Sequence, residues 1–284
     1  MAPFLIGHTG ITWGIPGDVE TAYRDVAELG YLGFETFTQT ILEWNGRPGG
    51  YRRLVEQNKI PTSAGYCYKE WTASRKALDE AKAEADGLAA LPGATALVVQ
   101  AGSRSSDTSA PDELAQLADI LNELGAHCDD IGLRVGLHPH TDTAVETRSD
   151  IDTILSLSDP RLVGLAPDTG QIAKAGCDVL DLLRVHGDRI VHVHLKDWNG
   201  EGRTTDGAET DHSGYLNYEA IGDGVLPINS ILDVLTDEVG YAGWVNVELD
   251  RTTTSPRPAR EAAARSRHHL ETLLGSSRFR QTAS

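Results

Sequence analysis

The sequence predicts an α/β protein built as a single-domain (β/α)8 barrel. Short β-rich runs alternate with longer amphipathic segments, which is the arrangement of repeated βα units around a parallel sheet. Eight such runs are present, and neither a Pro/Ser-rich linker nor a shift in composition divides the 284 residues. The predicted barrel domain covers residues 1–274. Residues 275–284 are small, polar and basic, and we expect a disordered tail there.

Each predicted strand is a short run rich in β-branched, aromatic or other apolar residues. The eight runs are Phe4–Gly7, Gly33–Phe37, Thr62–Tyr66, Ala96–Gln100, Arg134–His138, Leu162–Ala166, Ile190–Leu195 and Trp244–Glu248. The predicted helices show apolar residues at intervals of three and four. They are Asp18–Leu29, Ala73–Ala90, Asp112–Asp129, Ser149–Leu157, Val179–His186, Ile228–Glu238 and Pro258–Leu274, with a weaker pattern at Tyr51–Gln57. The long irregular stretch Asp197–Val225 predicts a loop that covers the active site.

Composition and charge narrow the function classes. The chain has 42 acidic and 25 basic residues, a formal net charge of −17, which disfavours binding to nucleic acid or to an anionic membrane. It has no apolar run of the roughly 20 residues that a bilayer span needs, and its start lacks the basic and apolar segments of a secretion signal. We expect a cytoplasmic protein with a small-molecule substrate. The sequence leaves open a homo-oligomer or a small partner subunit.

Four consecutive predicted strands end in side chains that bind metals or transfer protons. These side chains are His138 and His140 after strand five, Asp168 after strand six, His192, His194 and Lys196 in strand seven, and Glu248 in strand eight. Because the carboxyl ends of barrel strands meet at one face, we expect these groups to converge. We predict one divalent ion at His138, Asp168, His194 and Glu248. Mn²⁺ is the first expectation, and Mg²⁺, Co²⁺ and Zn²⁺ are alternatives with the same kinds of ligand.

Each candidate also has a structural interpretation. A single strand-end histidine is more often a hydrogen-bonded structural residue than a ligand, and Asp168 before Thr-Gly can cap the next helix. The recurrence of such residues on neighbouring strands favours the metal site, because a buried cluster of imidazoles and carboxylates without partners is costly.

A divalent ion next to a ketone polarises the carbonyl and stabilises the enolate formed when the adjacent proton leaves. Glu248 or His140 is predicted to remove that proton, and another of His140, His192 and Lys196 to protonate an oxygen. Lys196 can instead be a structural partner of Asp197 or Glu248, and His192 can orient a ligand.

Substrate contacts are expected at other strand ends and in the long loop, where aromatic faces lie beside polar groups. The candidates are His8, Trp13, Glu35, Tyr66, Tyr68, Gln100 and Arg203. For each of them, packing or an ordinary surface position remains an alternative.

Several short motifs carry a family resemblance that covers nearly the whole chain. They are His138-Pro139-His140 to Thr147, Asp159 to Leu165, Asp168-Thr169-Gly170, His192 to Asp197, and Gly222-Asp223-Gly224. With them the sequence resembles the xylose isomerase-like TIM barrels of the sugar phosphate isomerase/epimerase superfamily, and most closely the inosose dehydratases. The resemblance implies metal binding at the four positions named above, the first of which is commonly Glu. Gln171 stands where the family usually has a His that contacts substrate, so we count it among the substrate contacts.

The resemblance implies a metal-dependent lyase of inosose-dehydratase type, which removes an α proton and a β hydroxyl from a keto-cyclitol or keto-sugar. A ketose isomerase or epimerase is an alternative, although His138 replaces a carboxylate that many epimerases use. A second alternative is the catalytic subunit of a 3-keto-glycoside C–C or C–O lyase, which would need a partner subunit. A non-catalytic sugar-binding barrel is a third alternative, but it would not explain the set of metal-binding residues at the strand ends. An endonuclease acting at abasic sites is disfavoured by the acidic charge.

Overall fold

A computed structural model describes residues 4–14, 17–71, 75–104, 111–202, 216–250 and 257–281. The strands are β1 (Leu5–Thr9), β2 (Phe34–Phe37), β3 (Thr62–Tyr68), β4 (Ala96–Gln100), β5 (Arg134–His138), β6 (Val163–Leu165), β7 (Val193–Leu195), β8 (Asp197–Trp198), β9 (Tyr218–Glu219) and β10 (Trp244–Val247). Within these ranges, all strands except β8 and β9 form one parallel sheet of eight strands. The predicted fold class is confirmed, and each predicted strand overlaps a strand of this sheet.

The sheet runs in the order β6-β5-β4-β3-β2-β1-β10-β7, so β6 and β7 are its two ends. These ends meet through parallel bridges between Leu165 and Ile190 and between Asp168 and His194. The amide of His194 donates to the carbonyl oxygen of Pro167 at 2.9 Å. The barrel therefore closes at a seam that lies between β6 and β7.

Helices cover the outside of the sheet. They are α1 (Val19–Glu28), α2 (Thr38–Asn45), α3 (Arg52–Asn58), α4 (Arg75–Ala89), α5 (Pro111–Asp130), α6 (Arg148–Leu157), α7 (Thr169–Lys174), α8 (Val179–Val185), α9 (Ile228–Asp233) and α10 (Ala259–Leu274). The main hydrophobic core lies between strands and helices. In the part of the chain that the structure describes, no helix has both the length and the apolar character needed to cross a bilayer.

The sequence did not predict α2 and α7. The first turn of α2 contains β-branched residues, which weaken helix propensity, but the Thr38 hydroxyl donates to Glu84 of α4 at 2.6 Å and fixes α2 against its neighbour. α7 has six residues, too few for a periodic pattern, and it begins at a cap formed by Asp168.

The predicted long loop is closed at its base by β8 and β9, which pair as antiparallel strands. The Asp197 carboxylate accepts hydrogen bonds from the amides of Gly222, Gly224 and Leu226 at 2.9 to 3.1 Å. Both ends of the loop are therefore held at one place on the barrel.

The expectation of a disordered tail is wrong for residues 275–281. Phe279 is 4% exposed and packs edge-on against Tyr31, with ring centroids 5.7 Å apart. The Arg278 guanidinium donates to the carbonyl oxygen of Phe4, and the Arg280 amide donates to that of Gly30. One aromatic side chain and two hydrogen bonds thus anchor a segment whose composition is otherwise polar.

Candidate metal centre

Three of the predicted ligands converge inside the carboxyl end of the barrel. One donor atom each from His138, Asp168 and His194 lies within 4.8 Å of the other two, and all three side chains are fully buried. The fourth predicted ligand is adjacent, since Glu248 Oε2 lies 3.1 Å from His194 Nδ1. The strand ends therefore bring the four predicted side chains to one place.

His138 presents a free lone pair to this place. Its Nδ1 donates to the carbonyl oxygen of Ala166 at 3.2 Å, so Nε2 is the unprotonated nitrogen. Nε2 has no hydrogen-bond partner among the described residues. Burial, together with His194 and His140, holds the pKa of His138 well below its usual range, so the ring is neutral. A neutral imidazole is the form that coordinates a metal.

Asp168 both caps a helix and faces the site. Its Oδ1 accepts from the amides of Gly170 and Gln171 at 2.9 and 3.0 Å, which begins α7. Its Oδ2 lies 2.9 Å from the Lys196 ammonium, yet accepts no hydrogen bond from the residues described. The two interpretations of Asp168 are therefore compatible, because each uses a different oxygen.

His194 lies between two carboxylates. Its Nε2 donates to Glu35 at 2.9 and 3.0 Å, and its Nδ1 faces Glu248. Burial acts to lower the pKa of His194, but Glu248 and Glu35 outweigh it and raise the pKa to about 9. A nitrogen 3.1 Å from a carboxylate oxygen requires a proton or a metal ion between the two atoms.

Glu35 was predicted to contact substrate, and this remains a prediction, because Glu35 lines a small pocket together with Tyr66 and Glu248. Its carboxylate accepts from His192 at 2.9 Å, from His194, and from the Asn246 amide at 2.6 Å, deep in the barrel. Burial acts to raise the pKa of Glu35, but the two imidazoles hold it well below its usual range. A carboxylate behind a histidine fixes the tautomer and direction of a metal ligand.

Glu35, His192 and His194 also lie close enough to hold an ion. Hydrogen bonds already account for this group, because both imidazoles direct Nε2–H at the carboxylate. Its donors are occupied, whereas those of His138 and Asp168 are not. The group of His138, Asp168 and His194 is therefore the better candidate for a metal.

The Lys196 ammonium lies 2.8 to 2.9 Å from Asp168, Glu248 and Asp250. In the described part of the centre, four carboxylates (these three and Glu35) face two cations, Lys196 and protonated His194, and four minus two leaves two negative charges. Burial raises the pKa of Asp250 to about 7, against the opposing effect of Lys196. An ion on His194 Nδ1 would replace the proton there, so a divalent cation would lower the excess from two negative charges to one, and the residues present fit such an ion.

A cavity of about 630 Å³ opens above the centre. His140, Glu248 and Asp250 line its inner end, and Tyr66 and Gln100 form part of the wall. The Tyr66 hydroxyl donates to the Gln100 side chain, and the Tyr66 ring lies edge-on to His138. A ligand in this cavity can therefore reach Glu248, the one candidate metal ligand among its lining residues.

A family model described as "Xylose isomerase-like TIM barrel" matches residues 23–273. The chain belongs to this family. An inosose dehydratase of Lacticaseibacillus casei is 30% identical over 169 residues, which are 57% of this chain and 55% of that protein. An inosose dehydratase of Lactiplantibacillus plantarum is 34% identical over 158 residues, 54% of this chain and 52% of that protein. The chain thus spans about half the length of the curated relatives that it matches.

A crystal structure of the IOLI protein with a binding zinc atom superimposes with a TM-score of 0.75 at 18% identity. The match covers 97% of this chain and 99% of that protein. At this identity the similarity shows that the two proteins share the xylose isomerase-like fold.

The xylose isomerase-like barrel places the other predicted catalytic residues differently. His192 is fully buried beneath the centre and does not line the cavity, so its contact with Glu35 supports the orienting interpretation. Lys196 pairs with Glu248, as one structural alternative predicted, and not with Asp197, whose carboxylate binds the loop amides.

His140 lines the cavity but has a neighbour on each ring nitrogen. Nδ1 donates to the carbonyl oxygen of Thr141 at 2.7 Å, and Nε2 accepts from the Gln171 amide at 2.8 Å. The Gln171 Oε1 atom accepts from the amide and the hydroxyl of Thr141, which fixes the amide's direction. Burial lowers the pKa of His140 to about 4. Gln171 therefore orients His140, and its predicted contact with substrate remains a prediction.

Two predicted substrate contacts are wrong. Gly7 faces the barrel interior, since a Cβ there would lie 2.1 Å from Asn246 Oδ1, and the next residue, His8, therefore points outward. His8 packs against Trp13 and Tyr31 at 5.5 and 4.9 Å between ring centroids. The Trp13 indole donates to Asp25 of α1 at 3.0 Å. Both side chains belong to the layer between sheet and helices.

Tyr66, Tyr68 and Gln100 line the cavity, as a substrate contact requires. Arg203 lies outside the described residues. The predictions omitted Asn246 and Asp250, although Asn246, Glu248 and Asp250 alternate along one strand and its extension. That spacing of two could have identified them, because residues two apart on a strand share a face.

Proposed function

We propose that this protein is a divalent-metal-dependent carbohydrate lyase of inosose-dehydratase type. Its substrate would be a keto-cyclitol or keto-sugar that loses an α proton and a β hydroxyl. The observation that carries the proposal is a set of buried ligand atoms with two excess negative charges at the inner end of an open cavity. The relatives named inosose dehydratase support the class of reaction.

The ion would be held by His138 Nε2, Asp168 Oδ2, His194 Nδ1 and the Glu248 carboxylate. Mn²⁺ is proposed first, with Mg²⁺, Co²⁺ and Zn²⁺ as alternatives for the same donor set. When bound, such an ion supplies Lewis-acid polarisation of a ketone and stabilises enolate charge.

Glu248 is the proposed proton acceptor. Its carboxylate lines the cavity, and the Lys196 ammonium 2.8 Å away holds Oε1 in position. His140 is less suited to this role here, because its Nε2 already accepts from Gln171. The geometry therefore favours Glu248 over His140 as the base.

Asp250 and Lys196 are the proposed source of the proton for the departing hydroxyl. They form a hydrogen-bonded pair at 2.9 Å, and Asp250 lines the cavity beside Glu248. A proton donor and a proton acceptor on one side of the cavity suit an elimination in which both groups leave from adjacent carbons.

The test uses the purified protein after chelation and after re-addition of Mn²⁺, Mg²⁺, Co²⁺ or Zn²⁺. It is incubated with 2-keto-myo-inositol, a panel of ketoses and 3-keto-glycosides, and the absorbance of an unsaturated ketone or dione product is recorded. We expect turnover that is lost on chelation and restored by at least one ion. An altered ketose without the absorbing product would indicate the isomerase, and full turnover after exhaustive chelation would contradict a metal-dependent reaction.

His138→Ala should lower metal affinity and turnover by more than about 100-fold, since it removes a direct ligand, whereas loss of an outer partner costs about 10- to 100-fold. His127→Ala is the matched control, because His127 lies on the surface and contacts Asp86. Equal metal binding by both variants would remove His138 from the centre.

A further inference from the structure

We infer that the cavity has an outer subsite for an aromatic ring, so that the preferred substrate is a keto-sugar carrying an aryl group. This inference rests on the proposed function for the chemistry at the inner end. The outer subsite is formed by Ile11, Phe37, Trp44, Arg47 and Tyr68.

The cavity is larger than a single sugar ring. A polyhydroxylated six-membered ring displaces about six or seven waters, on the order of 200 Å³ at roughly 30 Å³ per water. The cavity holds about 630 Å³. A single keto-cyclitol at the metal centre would leave most of this space to solvent.

The extra space of the cavity lies to one side of the candidate metal centre. The inner end of the cavity carries His140, Glu248 and Asp250, and the lining continues along β2 and α2 as far as Trp44 and Arg47. The unused space therefore lies over the amino-terminal half of the barrel, beyond the candidate metal ligands. A group attached to the keto ring can extend into it.

Aromatic side chains form part of the wall around this extra space. Tyr68 is 44% exposed and is one of the residues that line the cavity. Phe37 is half-buried and lies edge-on to Tyr66, with centroids 5.5 Å apart. Such faces favour an aromatic partner in edge-on or offset packing.

Arg47 adds a cationic group to the same wall. Its guanidinium lies 4.1 Å from the centroid of the Trp44 ring, and the side chain is exposed on the cavity wall. Among the residues described, no carboxylate forms an ion pair with it, although the chain carries a net charge of −17. A guanidinium fixed on an indole can place its other face against a ligand ring.

A second sugar ring fits this wall less well. Two polar side chains of the cavity wall next to the outer subsite already have partners: Gln39 donates to Glu43 at 3.0 Å, and the Lys69 ammonium pairs with Glu84 at 2.5 Å. Sugar hydroxyls would have to compete with these bonds, whereas an aryl ring needs only the aromatic faces and Arg47.

The experiment compares the free 3-keto-hexose with its methyl, phenyl and glucosyl glycosides, using metal-loaded protein. We expect the phenyl glycoside to bind at least about tenfold more tightly than the methyl glycoside, measured by calorimetry. Arg47→Met and, separately, Phe37→Ala should each reduce the ratio of phenyl to methyl glycoside affinity by about 3- to 10-fold. Arg52→Met is the matched control, because Arg52 lies on α3 and its guanidinium donates to Ala90.

Equal binding of the phenyl and methyl glycosides, or tighter binding of the glucosyl glycoside, would overturn the inference. So would a phenyl preference that survives in both variants. These outcomes are separable from failure of the proposed function, which is read from metal-dependent turnover of the free keto-hexose and of 2-keto-myo-inositol. A protein that prefers the phenyl glycoside but converts no keto-sugar would retain the subsite and lose the lyase.

Discussion

The floor and the rim of the metal centre use the same kinds of residue in opposite ways. At the floor, His192, His194 and Asn246 direct three donors at one carboxylate, Glu35. At the rim, Asp168, Glu248 and Asp250 gather around one ammonium. The floor therefore satisfies its charge internally, whereas the rim is short of positive charge. Burial of a histidine or a carboxylate does not by itself indicate a ligand; the balance of donors and acceptors does.

The largest effect is expected from breaking the floor. Glu35→Gln keeps the shape of the side chain but removes the charge that receives all three donors. We expect a loss of about 3–5 kcal/mol in the free energy of unfolding, the usual cost of removing one partner of a buried charged network. Metal affinity should also fall by about 10- to 100-fold. Urea denaturation and metal titration measure both quantities.

Glu20→Gln is the control, because Glu20 is an exposed carboxylate paired with Arg53 and should contribute almost nothing. The pH dependence gives a second check. The pKa of Glu35 is depressed in the folded protein, so its contribution is complete above the unfolded value of 4.5 and declines as pH falls toward the lower folded pKa. A stability difference that grows on acidification would contradict the assignment.

A change at the rim should have the opposite sign for stability. Asp168→Asn keeps a side-chain oxygen that can cap α7 but removes one of the excess negative charges. We expect metal affinity to fall by more than about 100-fold, while the metal-free protein stays as stable or gains about 1 kcal/mol. Denaturation in a chelator distinguishes the two effects. A loss of several kcal/mol there would show that Asp168 is chiefly structural.

The smallest effect is expected from a carboxylate outside the centre. Asp223 accepts hydrogen bonds from Arg257 and Arg265 at 2.6 to 2.9 Å, and the Arg265 bonds hold its pKa below the usual 3.8. Asp223→Asn should cost about 0.5–1 kcal/mol at neutral pH, and the cost should shrink below about pH 3.8. An effect as large as that of Glu35→Gln would mean that burial does not explain the difference between Glu35 and a carboxylate outside the centre.

The sequence allowed the barrel to be predicted because strands and most helices carry their own periodic pattern. It also allowed four ligand candidates to be predicted, since strand ends of a barrel converge whatever the details of packing. Glu35 could not be assigned in this way. It lies 157 residues from His192, and the contact between them exists only once the sheet has curled.

The errors at His8 and Phe279 have local causes. A single strand position does not reveal which side of the sheet it faces, and His8 would have needed the orientation of Gly7 to be known first. Phe279 is one apolar residue in a polar segment, so no periodicity marks it, yet its ring finds Tyr31 on the barrel. Tertiary contacts decided both positions.

The seam between β6 and β7 has a consequence for folding. Asp168 and His194 lie on opposite sides of it, joined by an isolated bridge instead of a continuous ladder. An ion held by both residues would be a non-covalent cross-link between β6 and β7, the two end strands of the curved sheet. Loading should then slow amide hydrogen exchange at Val191 and His194 far more than within β3 and β4, so that metal supply would control how often the barrel opens.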